Sequence, residues 1–365
     1  MAKPDIGARE EELVLEVLRS GMLSLGPMLP RFEKEFGEWI GSEHTSAVSS
    51  GTTGLHLAIR AAGIRAGDEV ITSPLSFVAS ANVLLYENAV PVFADIDPIT
   101  LNVDPANARS AVTGRTTGLL PVHIFGYPAD MPALEGIAKD HDLWIVEDAC
   151  EALGGIHADG SRVGTRGHYS VFGFYPNKQI ATGEGGMVIS PDAAGKESID
   201  SARNQGRAPD MGWLDHEVLG FNYRLSDLAA AVGIAQVEKL DDMLARRAQA
   251  AAWYSERLDP IPEITGMSPD ANGDKRGWFV YVVQLPEGSD RDEVIHRLAA
   301  EGVSSKPYMP VIHLQPYFRE RFGYAPGDFP VAEGIADRSL ALPFFPAITE
   351  AEVDRAVATL ERALA

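Results

Sequence analysis

Three short stretches carry residue types that could do chemistry together. Phe172-Gly173-Phe174-Tyr175-Pro176-Asn177-Lys178 runs on towards Thr182-Gly183-Glu184-Gly185-Gly186. A lysine set among aromatic rings is partly desolvated, which favours its neutral form and frees the nitrogen lone pair to attack an aldehyde. The glycines beyond it let backbone approach a bound molecule closely. A lysine that merely snorkels from a strand end would account for the same residues. Upstream, Trp144-Ile145-Val146-Glu147-Asp148-Ala149-Cys150-Glu151 ends an apolar run on carboxylates. Ligands of open α/β sheets gather at the carboxyl ends of strands, where Asp148 could pair with a ring nitrogen and keep it cationic. A helix N-cap explains Asp148 about as well. Glu151 could reach the same site or serve as a first-turn acid, and Cys150, with no activating pair, reads as packing. The third stretch is Ser49-Ser50-Gly51-Thr52-Thr53-Gly54, between a short strand and a helix. Free N–H groups and the dipole at a helix start suit a phosphate, although a capped helix behind a tight turn looks the same. Each stretch is ambiguous by itself; the three in this order are not.

The elements that must position them appear as an alternation. Apolar runs at Ala47-Val48, Glu69–Ile71, Val90–Phe93, Gly118–Leu120 and Trp144–Val146 are separated by helical patterns near 53–62, 76–87, 104–112 and 130–140. That rhythm predicts βαβ units and a largely parallel, buried sheet. Tyr169–Phe174 and Gly186–Ser190 add two strands, and Asp159-Gly160 signals a hairpin within 153–164. Two helices precede the first strand, over 10–20 and 30–40, stopped by Gly21 and Gly41. One long helix is predicted from Leu225 to about Leu258, then a strand over Gly277–Leu285, a helix over Asp290–Glu301, a Pro-punctuated loop region and a final helix from Thr349. The expected division is a large domain over 1–245 and a small C-terminal one over 246–365, with the N-terminal segment able to pack on the small domain. No Gly-x-Gly-x-x-Gly follows a strand and no P-loop is complete, so a cofactor must be held in another way.

Composition narrows the partners. The chain has 365 residues, 45% hydrophobic, with 52 acidic against 31 basic residues and a formal charge of −21. Such a field repels nucleic acid and anionic membrane surfaces, and an anionic small substrate needs local donors. The single cysteine, Cys150, permits no disulfide within the chain and points to a reducing, cytoplasmic setting. Neither a signal peptide nor an apolar run of membrane-spanning length is expected from the sequence.

The succession Ser50-Gly51-Thr52, Asp148 with Glu151, Lys178 before Gly183-Glu184-Gly185-Gly186, and Asn222-Tyr223-Arg224-Leu225-Ser226-Asp227 resembles the nucleotide-sugar aminotransferases of the DegT/DnrJ type. These belong to the aspartate-aminotransferase superfamily. The likeness extends to Gly67-Asp68-Glu69-Val70-Ile71, Pro121-Val122-His123 with Gly126-Tyr127-Pro128, and His313-Leu314-Gln315-Pro316, hence over nearly the whole chain. It implies the α/β class and fold type I of pyridoxal-phosphate enzymes: a mostly parallel seven-stranded sheet between helices, plus a smaller α+β domain. It implies that Lys178 carries pyridoxal 5'-phosphate covalently and shuttles a proton. It further implies that Asp148 pairs with the ring nitrogen, Phe77 stacks on the ring, and Gly51 and Thr52 give backbone N–H groups to the phosphate. Asn222 would reach that phosphate from the neighbouring subunit of a homodimer with shared sites. Glu151 stands where the cofactor's phenolic oxygen is faced, often by Gln or His in relatives, so a carboxylate there needs a proton or a cationic partner. Gly173 departs from the family, many members of which carry a phosphate-binding serine there. Arg224, Lys306 and His313 are candidates for the anionic or hydroxylated parts of the substrate, and no metal is implied.

The implied reaction is a ping-pong transfer from L-glutamate to a nucleotide-linked keto sugar. The Thr-Gly-Glu-Gly-Gly run resembles the branch acting on 4-keto-6-deoxy sugars more than the 3-keto branch. A 3-keto sugar nucleotide or a cyclitol ketone is the alternative acceptor. Dehydratases of this fold replace the lysine by histidine, which Lys178 argues against. Intact Lys178 and Asp148 also argue against a non-catalytic regulator.

Overall fold

The computed structural model describes residues 3–208, 215–267, 270 and 273–364. Strands β1 (Thr45–Val48), β2 (Glu69–Thr72), β3 (Val90–Phe93), β4 (Thr116–Leu120), β5 (Trp144–Asp148), β6 (Tyr169–Gly173) and β7 (Gly186–Ile189) form one sheet in the order β1-β7-β6-β5-β4-β2-β3. Neighbours from β3 to β6 pair in parallel, while β7 runs antiparallel to both β6 and β1. β1, β2 and β7 are buried at every position, as expected of a sheet covered on both faces, with polar residues of β1 and β2 such as Thr45, Ser46, Glu69 and Thr72 buried among the apolar ones. One consequence decides where chemistry can occur. The carboxyl ends of β1, β2, β4, β5 and β6 lie along one edge of the sheet, and the antiparallel β7 brings its amino end to that edge as well.

The connection from β5 to β6 contains the expected hairpin: Ile156 pairs with Arg162, and His157 N–H donates to the Ser161 carbonyl at 2.8 Å. Gly160 takes a φ of 85° at its turn, a conformation that costs glycine nothing. The two N-terminal helices, Ala8–Ser20 and Met28–Ile40, pack on the large sheet rather than on the C-terminal one. Leu13, Val17, Phe32 and Phe36 share a core with Phe172, Phe174 and Met187.

The single long helix expected after Leu225 is in fact two, Asp227–Glu238 and Leu240–Leu258, broken at Lys239 with φ −116° and ψ 12°. The Lys239 ammonium donates to the Asp5 carbonyl at 2.6 Å and pairs with Glu10 at 2.8 Å. The first piece packs under the N-terminal helices through Ile234, while the second buries Ala250, Tyr254 and Leu258 in the C-terminal core. Two buried faces in different cores require different axes, and the break supplies them.

The C-terminal region is an antiparallel sheet, β8-β10-β9, made of β8 (Tyr281–Gln284), β9 (Lys306–Pro307) and β10 (Ser339–Leu342). Helices Arg291–Ala300 and Glu350–Leu364 cover it, close to expectation. The stretch read as Pro-punctuated loop also holds helices Pro316–Phe322 and Pro330–Arg338. Proline opens both, a position where its missing N–H costs nothing. Among the described residues no helix is long and apolar enough to cross a membrane, and no three His, Cys, Asp or Glu side chains are grouped to hold a metal.

Candidate active site

The shared edge of the sheet opens into a cavity of about 440 Å³. Its wall includes Gly51 and Thr52 after β1, Ser76 and Phe77 after β2, Asp148 and Glu151 at the end of β5, and Asn177 and Lys178 after β6. Residues far apart in sequence thus meet because the strands before them are parallel.

The end of β5 separates two adjacent carboxylates by the strand's alternation. Glu147 turns to one face and is wholly buried. His123 Nδ1 accepts from the Ala129 N–H at 2.9 Å, so its proton resides on Nε2 and is donated to Glu147 Oε2 at 2.9 Å. The N–H groups of Gly164, Arg166 and Gly167 and the Ser170 hydroxyl also donate to Glu147. Burial pushes this carboxyl up, but His123 and the backbone donors outweigh it and hold it at about 2. Asp148 turns to the cavity. Ser80 donates to its Oδ2 at 2.7 Å, Ser76 lies 2.8 Å from Ser80, and the Cys150 N–H donates to Oδ1 at 3.2 Å. Asp148 faces the cavity, and the segment after it is a turn rather than a helix, so the helix N-cap reading is replaced by a turn contact through the Cys150 N–H.

Lys178 reaches the same space. Its Nζ lies 3.5 Å from Glu151 Oε1 and 4.1 Å from the centroid of the Phe279 ring, which favours a cation at its face. Burial raises the Glu151 carboxyl, Asp148 adds to the rise, and Lys178 and the Phe125 N–H oppose it. Glu151 therefore has the cationic partner that a carboxylate in this place requires.

At the third wall Ser50 caps the helix Gly51–Ala61, accepting from the Thr53 N–H at 3.1 Å. The N–H groups of Gly51 and Thr52, on the first turn, have no intrahelical acceptor and are left for a ligand. Cys150 packs behind them: a Cβ on Gly51 would lie 2.8 Å from its sulfur. A Cβ on Gly173 would lie 3.4 Å from the same sulfur, so the space next to that glycine is already filled to contact. Burial pushes the Cys150 thiol well up, in keeping with packing rather than nucleophilic attack. Phe77 is 60% exposed at the cavity mouth, not a core residue.

Other anticipated residues lie elsewhere. Asn222 is exposed and pairs with Asn204 outside the cavity. Arg224 donates to Asn204 Oδ1 at 2.9 Å and lines an adjoining depression with Glu184, which also lines the first cavity. Lys306 is exposed on β9, away from the cavity wall. His313 corrects its expectation: it is fully buried among Phe93, Tyr324 and Phe329, with Nε2 3.0 Å from Glu333 Oε1, so it has no access to the cavity. Among the wall or contact residues that escaped the sequence reading are Ser80, Phe279, Tyr308 and Met309. Only Ser80 had a local signal, four residues after Ser76 at helical spacing; the others arrive from the C-terminal region through tertiary contacts.

An amine, a carboxylate and a free helix start around one cavity fit a cofactor that bears an aldehyde, a basic ring nitrogen and a phosphate. Comparison with known proteins gives that fit a family. The model of the DegT/DnrJ/EryC1/StrS aminotransferase family matches residues 4–361. The spore coat polysaccharide biosynthesis protein SpsC of Bacillus subtilis is 38% identical over 365 residues, covering 96% of this chain and 93% of that protein. GDP-perosamine synthase of Caulobacter vibrioides is 36% identical over 367 residues, covering 100% and 98%. The structure of S. venezuelae DesV in complex with a ketimine intermediate superposes with a TM-score of 0.91 at 34% identity, covering 97% and 94%. The chain belongs to the DegT/DnrJ/EryC1/StrS aminotransferase family and is a pyridoxal-phosphate-dependent sugar aminotransferase of fold type I.

Proposed function

Taking that membership as the premise, we propose that the chain moves the amino group of L-glutamate to a nucleotide-linked 4-keto-6-deoxyhexose, by a ping-pong course through Lys178. The observation that carries this reading is the convergence of Lys178, Asp148 and the open helix start at Gly51 and Thr52 on one cavity. Bound pyridoxal phosphate supplies an aldehyde for the incoming amine and a conjugated ring that accepts the electron pair released at the substrate carbon. The protein does the rest. The Lys178 amine takes the proton from the substrate carbon and returns it on the other side of the transfer. The Asp148 carboxylate, oriented by Ser80 and by the Cys150 N–H, holds a proton on the ring nitrogen. Glu151 pairs with the Lys178 ammonium that forms once the amine has taken that proton. Phe77 covers one face of the ring, and the Gly51 and Thr52 N–H groups hold the phosphate.

A nucleotide sugar as acceptor fits the name of one relative, GDP-perosamine synthase, and L-glutamate is the donor implied by the family resemblance. The working unit is a homodimer in which Asn222 serves the partner's site, a role that its exposure away from its own cavity supports. Arg224 lines a depression that shares Glu184 with the cavity, which supports a contact with the substrate at that junction. The single cysteine supports a reducing, cytoplasmic setting. The test is incubation of the purified protein with glutamate and a panel of nucleotide-linked 4-keto and 3-keto sugars and cyclitol ketones, with products weighed by mass. Amination of a 4-keto-6-deoxy sugar is expected. Exclusive amination of a 3-keto sugar or a cyclitol ketone would overturn the choice of acceptor, and no amination of any of them would overturn the acceptor class.

A further inference from the structure

Arg247, in the helix Leu240–Leu258, is 4% exposed, and among the described residues no carboxylate pairs with it. Burial, aided by the neighbouring Arg246, pulls its guanidinium down to about 10, so it still carries charge at neutral pH. A buried charge without a counterion is costly, and an apolar side chain of the same volume would ordinarily be the more stable choice. What Arg247 does with its donors is specific. Nη2 donates to the carbonyl of Lys178 at 2.9 Å and Nη1 to the carbonyl of Phe279 at 3.1 Å, while Nε has no acceptor. Phe279 is the residue whose ring lies 4.1 Å from the Lys178 amine. One planar group thus holds, by their backbones, the cavity's lysine and the buried ring that its amine faces.

We propose that Arg247 is a positioning residue for the transamination, its guanidinium fork fixing Lys178 and Phe279 relative to each other so that the amine is presented to the cavity in one place. This rests on the reading of Lys178 as the cofactor's lysine. The geometry suits arginine: its planar fork offers a separate N–H to each of the two carbonyls in a fixed arrangement. A lysine in its place keeps the charge but offers its donors from one nitrogen on a flexible stem, and a methionine donates to neither while filling the volume. Gln179 ties the same segment a second time, donating to the carbonyls of Glu151 at 2.6 Å and Gly277 at 2.8 Å, so loss of Arg247 loosens the lysine without releasing the whole turn.

The experiment compares wild type, R247M and R247K as full-length protein. Thermal unfolding of the cofactor-free forms is measured first. The rate of covalent attachment is then followed by adding pyridoxal phosphate and trapping with borohydride at timed intervals, and the labelled peptide is identified. Last comes the single-turnover rate with glutamate as a function of its concentration. R247M is expected to unfold within a few degrees of wild type, yet to attach the cofactor and turn over about 10- to 100-fold more slowly, the loss falling on the rate at saturation. R247K should recover part of the attachment rate. A merely structural arginine predicts the opposite: lowered unfolding temperature, with attachment normal in whatever protein remains folded. If R247M does not fold, R247K carries the test by itself, and a wild-type attachment rate in R247K would overturn the proposal. Label on a wild-type lysine other than Lys178 would overturn the underlying reading and the proposal with it. Label on Lys178 with unimpaired variants would overturn the proposal alone.

Discussion

Two cavities of this molecule have nearly the same size, about 440 Å³ around Lys178 and about 450 Å³ around His157, and almost nothing else in common. The second is the more heavily charged, with Asp97, Asp104, Asp130, Asp159 and Asp274 on its wall. Every one of those carboxylates is already engaged. Asp97 accepts from the N–H groups of Ile99 and Thr100, Asp104 from Ala106, Asp130 from Ala133, Asp274 from Ala158, and Asp159 from Ser161 and Arg166. They build turns and start helices. Around Lys178 the charged side chains are fewer, but they are of both signs and face one space: the amine lies 3.5 Å from Glu151, Asp148 turns to the same cavity, and the Gly51 and Thr52 N–H groups at the helix start have no intrahelical acceptor. Volume and charge do not mark a site; donors and acceptors left open towards a common point do.

The largest effect that would break this contrast is at Lys178. Lys178→Ala is expected to lower turnover by roughly 10⁴-fold or more and to abolish borohydride labelling of the peptide that holds it. Labelling of another lysine in wild type would reject the assignment. Next comes a paired substitution, one aspartate from each cavity. Asp148→Asn should cost on the order of 10²-fold or more with the fold intact, because a neutral amide cannot hold a proton on the ring nitrogen. Asp274→Asn should leave turnover unchanged. Burial and the neighbouring Asp130, Asp159 and Asp270 carboxylates raise the Asp274 carboxyl, so its charged form is disfavoured in the folded state. The amide should therefore unfold at the same or a slightly higher temperature at pH 7. A glutamate half-reaction of normal rate in Asp148→Asn would reduce that residue to a turn cap.

The second cavity has its own signature in stability against pH. His157 packs against His123, and among the described residues its buried Nε2 has no hydrogen-bond partner. Burial holds it down at about 4, below the ordinary 6.5. The unfolded chain therefore takes up a proton first as the pH falls, and the folded state loses stability between 6.5 and 4. The loss should reach about 2 kcal/mol once solvent screening is allowed for. Glu147 acts in a lower window: held at about 2 against an ordinary 4.5, it supplies stability above 4.5 that is lost as pH falls towards 2. Denaturant titrations from pH 7 to 4 on wild type and His157→Phe would test the upper window. An identical slope in both would show that another group is responsible.

The contrast between the cavities also explains what could be read before the fold was known. Lys178, Asp148 and the Gly51-Thr52 start were legible because each is a local signal at a strand end, and parallel strands bring their carboxyl ends together. The alternation of elements was equally legible, since a sheet buried on both faces needs apolar runs of strand length. Whether Asp148 was a helix cap or a cavity residue could not be decided, because both need the same type at the same place; the structure puts a turn rather than a helix after it and its carboxylate on the cavity wall, held by Ser80. Phe279 and Tyr308 were invisible because their relation to the cavity exists only through packing of the C-terminal region. The break at Lys239 was hidden for a related reason. Its cause is a set of contacts to Asp5 and Glu10, not a helix breaker in the local sequence. His313 lies in a motif-rich stretch, yet its surroundings are aromatic core, which no spacing within His313-Leu314-Gln315-Pro316 reveals.

The smallest effect separates a cavity finished by its own chain from one finished by another. The His157 cavity is walled by turns of a single chain, whereas Asn222 is exposed and lines neither cavity. Suppose Lys178→Ala and Asn222→Ala are each made, and each proves strongly impaired. Co-assembled in equal amounts, random pairing makes about half of the dimers mixed. If Asn222 acts across the interface, one site of each mixed dimer collects both lesions and the other collects neither. About a quarter of wild-type activity should then return, with no change in either variant measured by itself. If Asn222 serves its own chain, every site in the mixture keeps one lesion and nothing returns. Mixed dimers confirmed by mass, with activity no higher than the sum of the parents, would confine Asn222 to its own subunit and leave the Lys178 cavity as self-contained as the acidic one.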